Sequence, residues 1–486
     1  MAYSDNFPAT RPVFMADFAN GGKIDPRATF SRSDTPPTYA APSAVHYWSN
    51  EKHESSQNLV LQSQSYDTTW TTYQLASSGA LTGSQSAPDG TTTAWLVTAG
   101  THTSGSPFLN QALSGISNST EYTVSAYLKA GTASHGYISL RGQYGHIAWA
   151  EIDFASPLSP ASGGANFTSI SATSTAVGST GWYRLTLTCT TSTVTAASTY
   201  VGPSDGTDPS LYGYAIWNCS GETIYVWGHQ VEERGSVTTY NPTTTQIHRE
   251  YAPTLKSVAT AGQPRFEYGI DGQSGAKGLL VESQSTNLLN RSKEFDNAYW
   301  SKLNTTVAAN AAIAPNGELT ADLVTADSTG SAINHNIAKA YAFTSGNTYT
   351  LSVYAKAYGA LSRLRLRAGN PATWAAQTTF ILSGSGSMVG NDYGTAQIQP
   401  CGNGWYRCSI TGTAGASATT NLLFTLENSD GNTSFDGDGF SGAILYGAQL
   451  EESSHSSSYL KVEGSTATRA SESLSMTDSS LFDNGG

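Results

Sequence analysis

The four letters GWYR stand at residues 181–184 and again at 404–407, and they are one piece of a longer repetition. NLVLQSQSYDTTW (58–70) matches NLLNRSKEFDNAYW (287–300), and APDGTTTAWLVTA (87–99) matches APNGELTADLVTA (314–326). EYTVSAYLKA (121–130) matches TYTLSVYAKA (348–357), YVWGHQVEE (225–233) matches ILYGAQLEE (444–452), and Tyr240 matches Tyr459. The offset between copies drifts slowly, from 229 (287 − 58) through 223 (405 − 182) to 219 (447 − 228). One order of motifs with small length changes between them marks a duplicated domain with varied loops. The expected organisation is an N-terminal docking segment over 1–57, a first module over 58–246 and a linker over 247–278. A second module over 279–463 and a C-terminal tail over 464–486 complete it.

Within each copy the hydrophobic period is two, the mark of a half-buried strand. In YTVSAYLKA, Tyr122, Val124, Ala126 and Leu128 alternate with Thr123, Ser125, Tyr127 and Lys129. In GYISLRG, Ile138 and Leu140 alternate with Tyr137, Ser139 and Arg141. In WYRLTLT, Tyr183, Leu185 and Leu187 would face inward, with Trp182, Arg184 and Thr186 outward. The second copy repeats this with Tyr406, Cys408 and Ile410 inward and Trp405, Arg407 and Ser409 outward. YVWGHQVE is apolar on both sides and reads as a more central strand. Short strands, Gly- and Asp-rich turns and the lack of amphipathic helices give an all-β expectation. It consists of two tandem jelly-roll-like antiparallel β-sandwiches plus an N-terminal extended docking segment.

Composition narrows the function. With 24 basic and 36 acidic residues the net charge is -12, which weighs against nucleic acid as a partner. No apolar run approaches the roughly 20 residues that cross a bilayer, so no membrane insertion is expected. The first residues lack a basic stretch followed by an apolar core, so a soluble product made in a cytosol is expected. The four cysteines do not correspond between copies, since Cys408 stands where Leu185 stands, and are expected as buried small apolar residues.

The outward faces carry the candidate ligand contacts. An aromatic ring offers a flat surface to the C–H face of a pyranose, and a neighbouring arginine donates hydrogen bonds to hydroxyls or acid groups. The glycan-binding candidates of the first copy are Tyr127, Arg141, Trp149, Trp182 and Arg184. Those of the second are Tyr354, Arg367, Trp374, Trp405 and Arg407, with Trp149 and Trp374 taken as counterparts. The competing reading packs the Trp of GWYR under a loop, a second layer or a neighbouring subunit, with Arg over it. Repetition in both copies favours that structural role. The loop DGNTSFDGDGF (430–440) gathers Asp430, Asp436 and Asp438, oxygen ligands that could hold Ca2+. It lacks EF-hand spacing, and solvated turn residues are the alternative. No other cofactor is expected.

Catalysis has little support. Glu232–Glu233 and Glu451–Glu452 recur, but neighbours on a strand point to opposite faces and cannot flank one glycosidic bond. There is no HExxH, GxSxG or phosphate-cradling loop.

The composite run GLLVE…TNLL…AP(D/N)G…YTxSxYxKA…GWYR…(W/Y)GxQ(L/V)EE…Y resembles modules found in structural proteins of tailed bacteriophages. Those modules are similar to carbohydrate-binding β-sandwiches and occur in tail-fibre and other adhesive virion proteins. The opening RPVFMADFANGGKIDPRATFSRSDTPPTY (11–39) also resembles the N-terminal segment of such proteins. The resemblance implies a non-enzymatic virion component, made in the bacterial cytoplasm, that attaches to a host cell-surface glycan. It further implies docking to other virion proteins through the N-terminal segment, and a homotrimer. The alternatives are a capsid decoration or connector without glycan binding, and a polysaccharide depolymerase.

Overall fold

The period-two pattern becomes strands throughout. A computed structural model describes residues 16–17, 23–24, 28–32, 44–101, 106–143, 146–157, 161–194, 196–206, 219–260, 262–268, 276–369, 376–392 and 394–476. Each copy forms two six-stranded antiparallel sheets. The back sheet of the first module runs Phe167–Val177, Trp182–Thr191, Glu121–Ala130, Thr223–Glu232, Ala94–Thr98, Leu81–Gln85. Its front sheet runs Ala161–Gly163, Ile147–Asp153, His135–Gly142, Ala197–Ser204, Phe108–Leu113, Thr71–Tyr73. In the second module the back sheet runs Thr305–Ile313, Leu319–Ala326, Gly442–Glu451, Thr348–Tyr358, Trp405–Thr413, Thr395–Gly402. The front sheet there runs Ser301–Leu303, Asn336–Phe343, Ala418–Glu427, Arg363–Ala368, Ala376–Ile381, Ser387–Asp392. Numbered along the chain from Ala94–Thr98 or Leu319–Ala326, and leaving out the edge strands, the strands form two sets. The first, eighth, third and sixth share one sheet and the second, seventh, fourth and fifth the other. That is jelly-roll connectivity, built twice.

The inward residues read from the sequence meet as expected. Val124, Ala126, Leu128, Ile138, Leu140, Leu185 and Leu187 share one core, with Tyr183 packed against it. Tyr406, Cys408 and Ile410 share the other, where Leu351, Val353, Leu364 and Leu366 of neighbouring strands join them. Thr223–Glu232 lies inside its sheet and is buried along nearly its whole length, as its two-sided apolar pattern predicts.

Several repeated letters belong to one clasp that ties the start of each module to its end. Asn58 Nδ2 donates to the carbonyls of His229 and Asn241 at 3.1 and 2.9 Å, and its Oδ1 accepts from Val60 and Val231 N–H. Asn287 does the same with Ala448 and Leu460, and with Leu289 and Leu450. Ser63 bonds the Tyr240 hydroxyl at 2.6 Å, and Ser292 the Tyr459 hydroxyl at 2.7 Å. A buried amide with all its hydrogen bonds made specifies one arrangement, because any other leaves a desolvated polar group unpaired. Gly228 and Gly447 sit at matching β-bulges with φ of 61° and 65°. A Cβ at either would stand 3.0 Å from the Tyr127 or Tyr354 ring, so these positions exclude side chains twice over.

Outside the modules, several of the described stretches pair with one another. His46–Asn58, inside the expected docking segment, pairs antiparallel with His248–Ser257 of the expected linker. Ala28–Arg32 pairs with Glu472–Met476, so the start and end of the chain share a ribbon. A buried ion cluster fastens it. Arg265 bonds Glu472 and Glu282, Arg32 pairs with Glu472 at 3.0 Å, and Arg469 lies 3.5 Å from Glu282.

Burial alone would raise the Glu282 carboxyl, but Arg469 and Arg265 outweigh it and hold the pKa at about 2. A carboxylate depressed in the folded state stabilises above its unfolded pKa and loses that contribution as pH falls. The ribbon should therefore lose roughly 3 kcal/mol at most from this group between pH 4.5 and 2. Thermal melts across that window should show Glu282→Gln less stable at neutral pH with a flatter acid slope; parallel slopes for the two proteins would contradict this.

Candidate functional site

The outer face of each back sheet carries the same side chains in the same register. Trp182 lies opposite Lys129 and Arg184 opposite Tyr127, as Trp405 lies opposite Lys356 and Arg407 opposite Tyr354. Each guanidinium stacks over its tyrosine, at 5.3 and 5.5 Å from the ring centroid. Each also donates to a serine hydroxyl, Ser125 at 3.0 Å and Ser352 at 3.3 Å. These residues do point away from the sandwich core, but they meet protein. Trp182 and Trp405 are each 2% exposed, and Tyr127 and Tyr354 are equally buried.

What covers them forms a relay. Tyr127, Trp182, Trp227 and Tyr240 of the first module pack with Phe440, and with Tyr358 at their margin, both from the second module. Tyr354, Trp405, Tyr446 and Tyr459 of the second module pack with Trp48 and Leu255 of the His46–Asn58/His248–Ser257 ribbon. The expectation that Tyr127, Trp182, Tyr354 and Trp405 stack on sugar rings is thereby corrected. Covering so much aromatic surface is worth more than leaving it in water, so the packing alternative prevails.

On the front sheet of the first module Trp149 also fails as a platform, being 4% exposed. It lies opposite Ser139, and among the described residues its indole N–H has no hydrogen-bond partner. Arg141, half-buried, lies over the Tyr200 ring at 5.9 Å. Trp374 lies outside the described residues. The pairing of Trp149 with Trp374 does not hold: Arg365 takes the place of Ser139 in its sheet, and the residue opposite Arg365 is Thr379. Arg367 is half-buried on the face of the second front sheet that points away from the core, its Nε donating to the Gly369 carbonyl at 3.2 Å.

The Asp-rich loop is likewise corrected. Asp436 accepts from the N–H groups of Thr329 and Gly330, both at 3.0 Å, and Asp438 from those of Phe440 and Ser441 and from the Ser441 hydroxyl. Asp430 is exposed, and among the described residues no three His, Cys, Asp or Glu groups come together as metal ligands do. These carboxylates shape a docking loop instead. Gly439 touches Gly178 of the first module so closely that a Cβ on it would stand 2.6 Å from the Gly178 Cα. That contact seats Phe440 on the first module. The repeated glutamates are clasp residues too: Glu232 binds Thr238 and Glu451 binds Ser457. Burial raises the Glu232 pKa. All four cysteines are buried, and among the described residues none forms a disulfide.

Where the two back sheets diverge, a cleft of 710 Å³ opens between the modules. Thr173, Thr175, Thr186 and Arg184 form its first wall, and Thr306, Ala308, Asn310 and Thr325 its second. Tyr127, Tyr358 and Phe440 close one end, with the Tyr127 and Tyr358 hydroxyls 3.3 Å apart. The Thr239 N–H bonds the Ala311 carbonyl at 3.0 Å, joining the modules beneath. Among the described residues Arg184 Nε–H has no hydrogen-bond partner, which buried donors seldom lack. Of the candidates read from the sequence, Tyr127 and Arg184 meet here. The cleft itself was not legible, because it needs both modules.

If Trp182 and Trp405 are packing residues, Trp182→Ala and Trp405→Ala should each cost about 3–5 kcal/mol in denaturant unfolding. Losses below about 1 kcal/mol would mean the rings are not buried as described.

No protein-family model matches the chain, and no curated protein matches it in sequence. Among solved structures it is similar to the N-terminal CBM22-1-CBM22-2 tandem domain of Paenibacillus barcinonensis Xyn10C, with 10% identity and a TM-score of 0.22 over 82% of this chain and 99% of that one. It is also similar to domains LG4-5 of the mouse laminin alpha1 chain, with 8% identity and a TM-score of 0.16 over 77% and 86%. At these scores neither likeness bears on ligand or partner; the all-β tandem-sandwich architecture rests on the chain's own strand order.

Proposed function

We propose that the chain is a glycan-binding structural protein, and that the cleft between its modules is the glycan site. The observation that carries this reading is the cleft's lining. Two walls of threonine hydroxyls and an asparagine amide offer paired donors and acceptors, Arg184 offers a charged donor, and an aromatic margin closes one end. Sugars present the same mixture of hydroxyls and C–H faces, and the volume falls in the range of roughly 300–1,000 Å³ typical of small-ligand sites. The resemblance of the repeated motifs to virion modules extends the proposal to a tail fibre or similar appendage of a tailed bacteriophage that attaches to a host surface. A homotrimer would multiply weak single contacts into firm attachment. Docking to other virion proteins through the N-terminal segment over 1–57 belongs to the same proposal.

The test is a glycan array followed by calorimetry on the intact chain. Thr175, exposed on the cleft wall, accepts a bulky side chain without disturbing a core. Thr175→Trp should block binding, and Arg184→Ala should weaken it about tenfold or more. The melting temperature of Thr175→Trp should stay at the wild-type value. No binding to any neutral glycan, or unchanged binding of a neutral glycan by Thr175→Trp, contradicts the assignment; release of reducing ends would replace it with depolymerase action.

A further inference from the structure

The front sheet of the second module carries a row of charge that the jelly roll does not require. Along Arg363–Ala368, Leu364, Leu366 and Ala368 fill the core while Arg363, Arg365 and Arg367 take the opposite face. Alternate residues on a strand stand about 6.6 Å apart, so three guanidiniums share one narrow strip. The strands on either side do little to neutralise them. Arg367 lies opposite Gln377 and Leu423, Arg365 opposite Thr379 and Thr425, and Arg363 opposite Ile381 and Glu427. The buried Glu427 carboxylate turns to Arg365, 2.5 Å from its Nε, and accepts from the Thr379 hydroxyl at 2.9 Å. Among the described residues, Arg363 and Arg367 have no carboxylate within 4.0 Å.

The first module serves as an internal control. The same three positions there hold Tyr137, Ser139 and Arg141, in the same register with their neighbours. The fold therefore closes without the row, and like charges on one face repel. An acidic chain gains nothing in stability from concentrating three cations so, but it gains a place where an anion can settle.

We propose that Arg363, Arg365 and Arg367 form a binding strip for an acidic polysaccharide. Each guanidinium presents a planar fork of N–H donors that matches a carboxylate or sulfate, and Glu427 with Thr379 holds the central one in place. With a net charge of -12 the rest of the molecule repels a polyanion, which confines it to this strip. The outward positions flanking the row on the two adjoining strands, Gln377, Thr379, Leu423 and Thr425, are not aromatic. A nucleic acid would thus find phosphate contacts but, among the described residues of these strands, no stacking platform. The strip lies on the sheet opposite the one that lines the cleft, so this site stands or falls apart from the cleft assignment.

The experiment measures binding of the intact protein to polygalacturonate, heparin, neutral dextran and single-stranded DNA over a range of salt. Polygalacturonate or heparin should bind with an affinity that falls as salt rises, the stronger of the two naming the acid group, and dextran should not bind. The double substitution Arg363→Gln/Arg367→Gln leaves the Arg365–Glu427 pair intact. It should lower affinity at least about tenfold and flatten the salt dependence. Its melting temperature should match wild type, and Thr175→Trp in the cleft should bind the polymer as wild type does. Unchanged binding by the double variant, equal binding of dextran, no binding of either acidic polymer, or tighter binding of DNA would each overturn the proposal.

Discussion

An arginine laid over a tyrosine, with a tryptophan beside it, sits on the outer face of each back sheet, and so much ring surface is not stable in water. Each ring buries on the order of 150–250 Å² when covered. Covering it dictates how the chain is assembled. The second module presses Phe440 onto the first, and the ribbon made from residues before and after the first module presses Trp48 and Leu255 onto the second. The Ala28–Arg32/Glu472–Met476 ribbon and its Arg–Glu cluster are bonded to the second module at Ser458. What looked in the sequence like two beads on a string is a stack in which each layer finishes the one beneath.

The duplication separates architecture from use. Clasp, bulge, stacked arginine and covering tryptophan agree between the copies down to hydrogen-bond partners and register. They are what any such module needs in order to close. The front sheets differ: one holds Tyr137, Ser139 and Arg141 where the other holds three arginines. A surface that differs where the scaffold is the same is free to meet different ligands, and the cleft between modules exists only because two scaffolds were joined.

The core was legible because alternation is a local signal. Tyr183 and Tyr406 face inward beside Trp182 and Trp405 for the same reason that any strand sends neighbours to opposite faces. The outward direction of Trp182 was therefore readable, whereas its surroundings were not. Nothing near residue 182 says that Phe440, more than 250 residues away, will join the cluster that buries it. Trp149 and Trp374 misled by a different route, since similar letters at similar distances from an arginine do not fix register, and pairing puts Thr379 where a tryptophan was expected. The aspartates of 430–440 misled because carboxylates suit backbone N–H groups as well as cations, and only the folded loop shows which they serve.

The layered assembly is the claim on which cleft, clasp and coverage all rest, and calorimetry of the first module cut free of its neighbours tests it most directly. Residues 58–246 alone would leave Tyr127, Trp182, Trp227 and Tyr240 without Phe440 and Tyr358 above them. On this account the isolated module melts well below the same module in the intact chain and binds a hydrophobic dye that the intact chain does not. Equal melting temperatures with no dye binding would mean that the aromatic faces need no cover, and that the modules are independent after all.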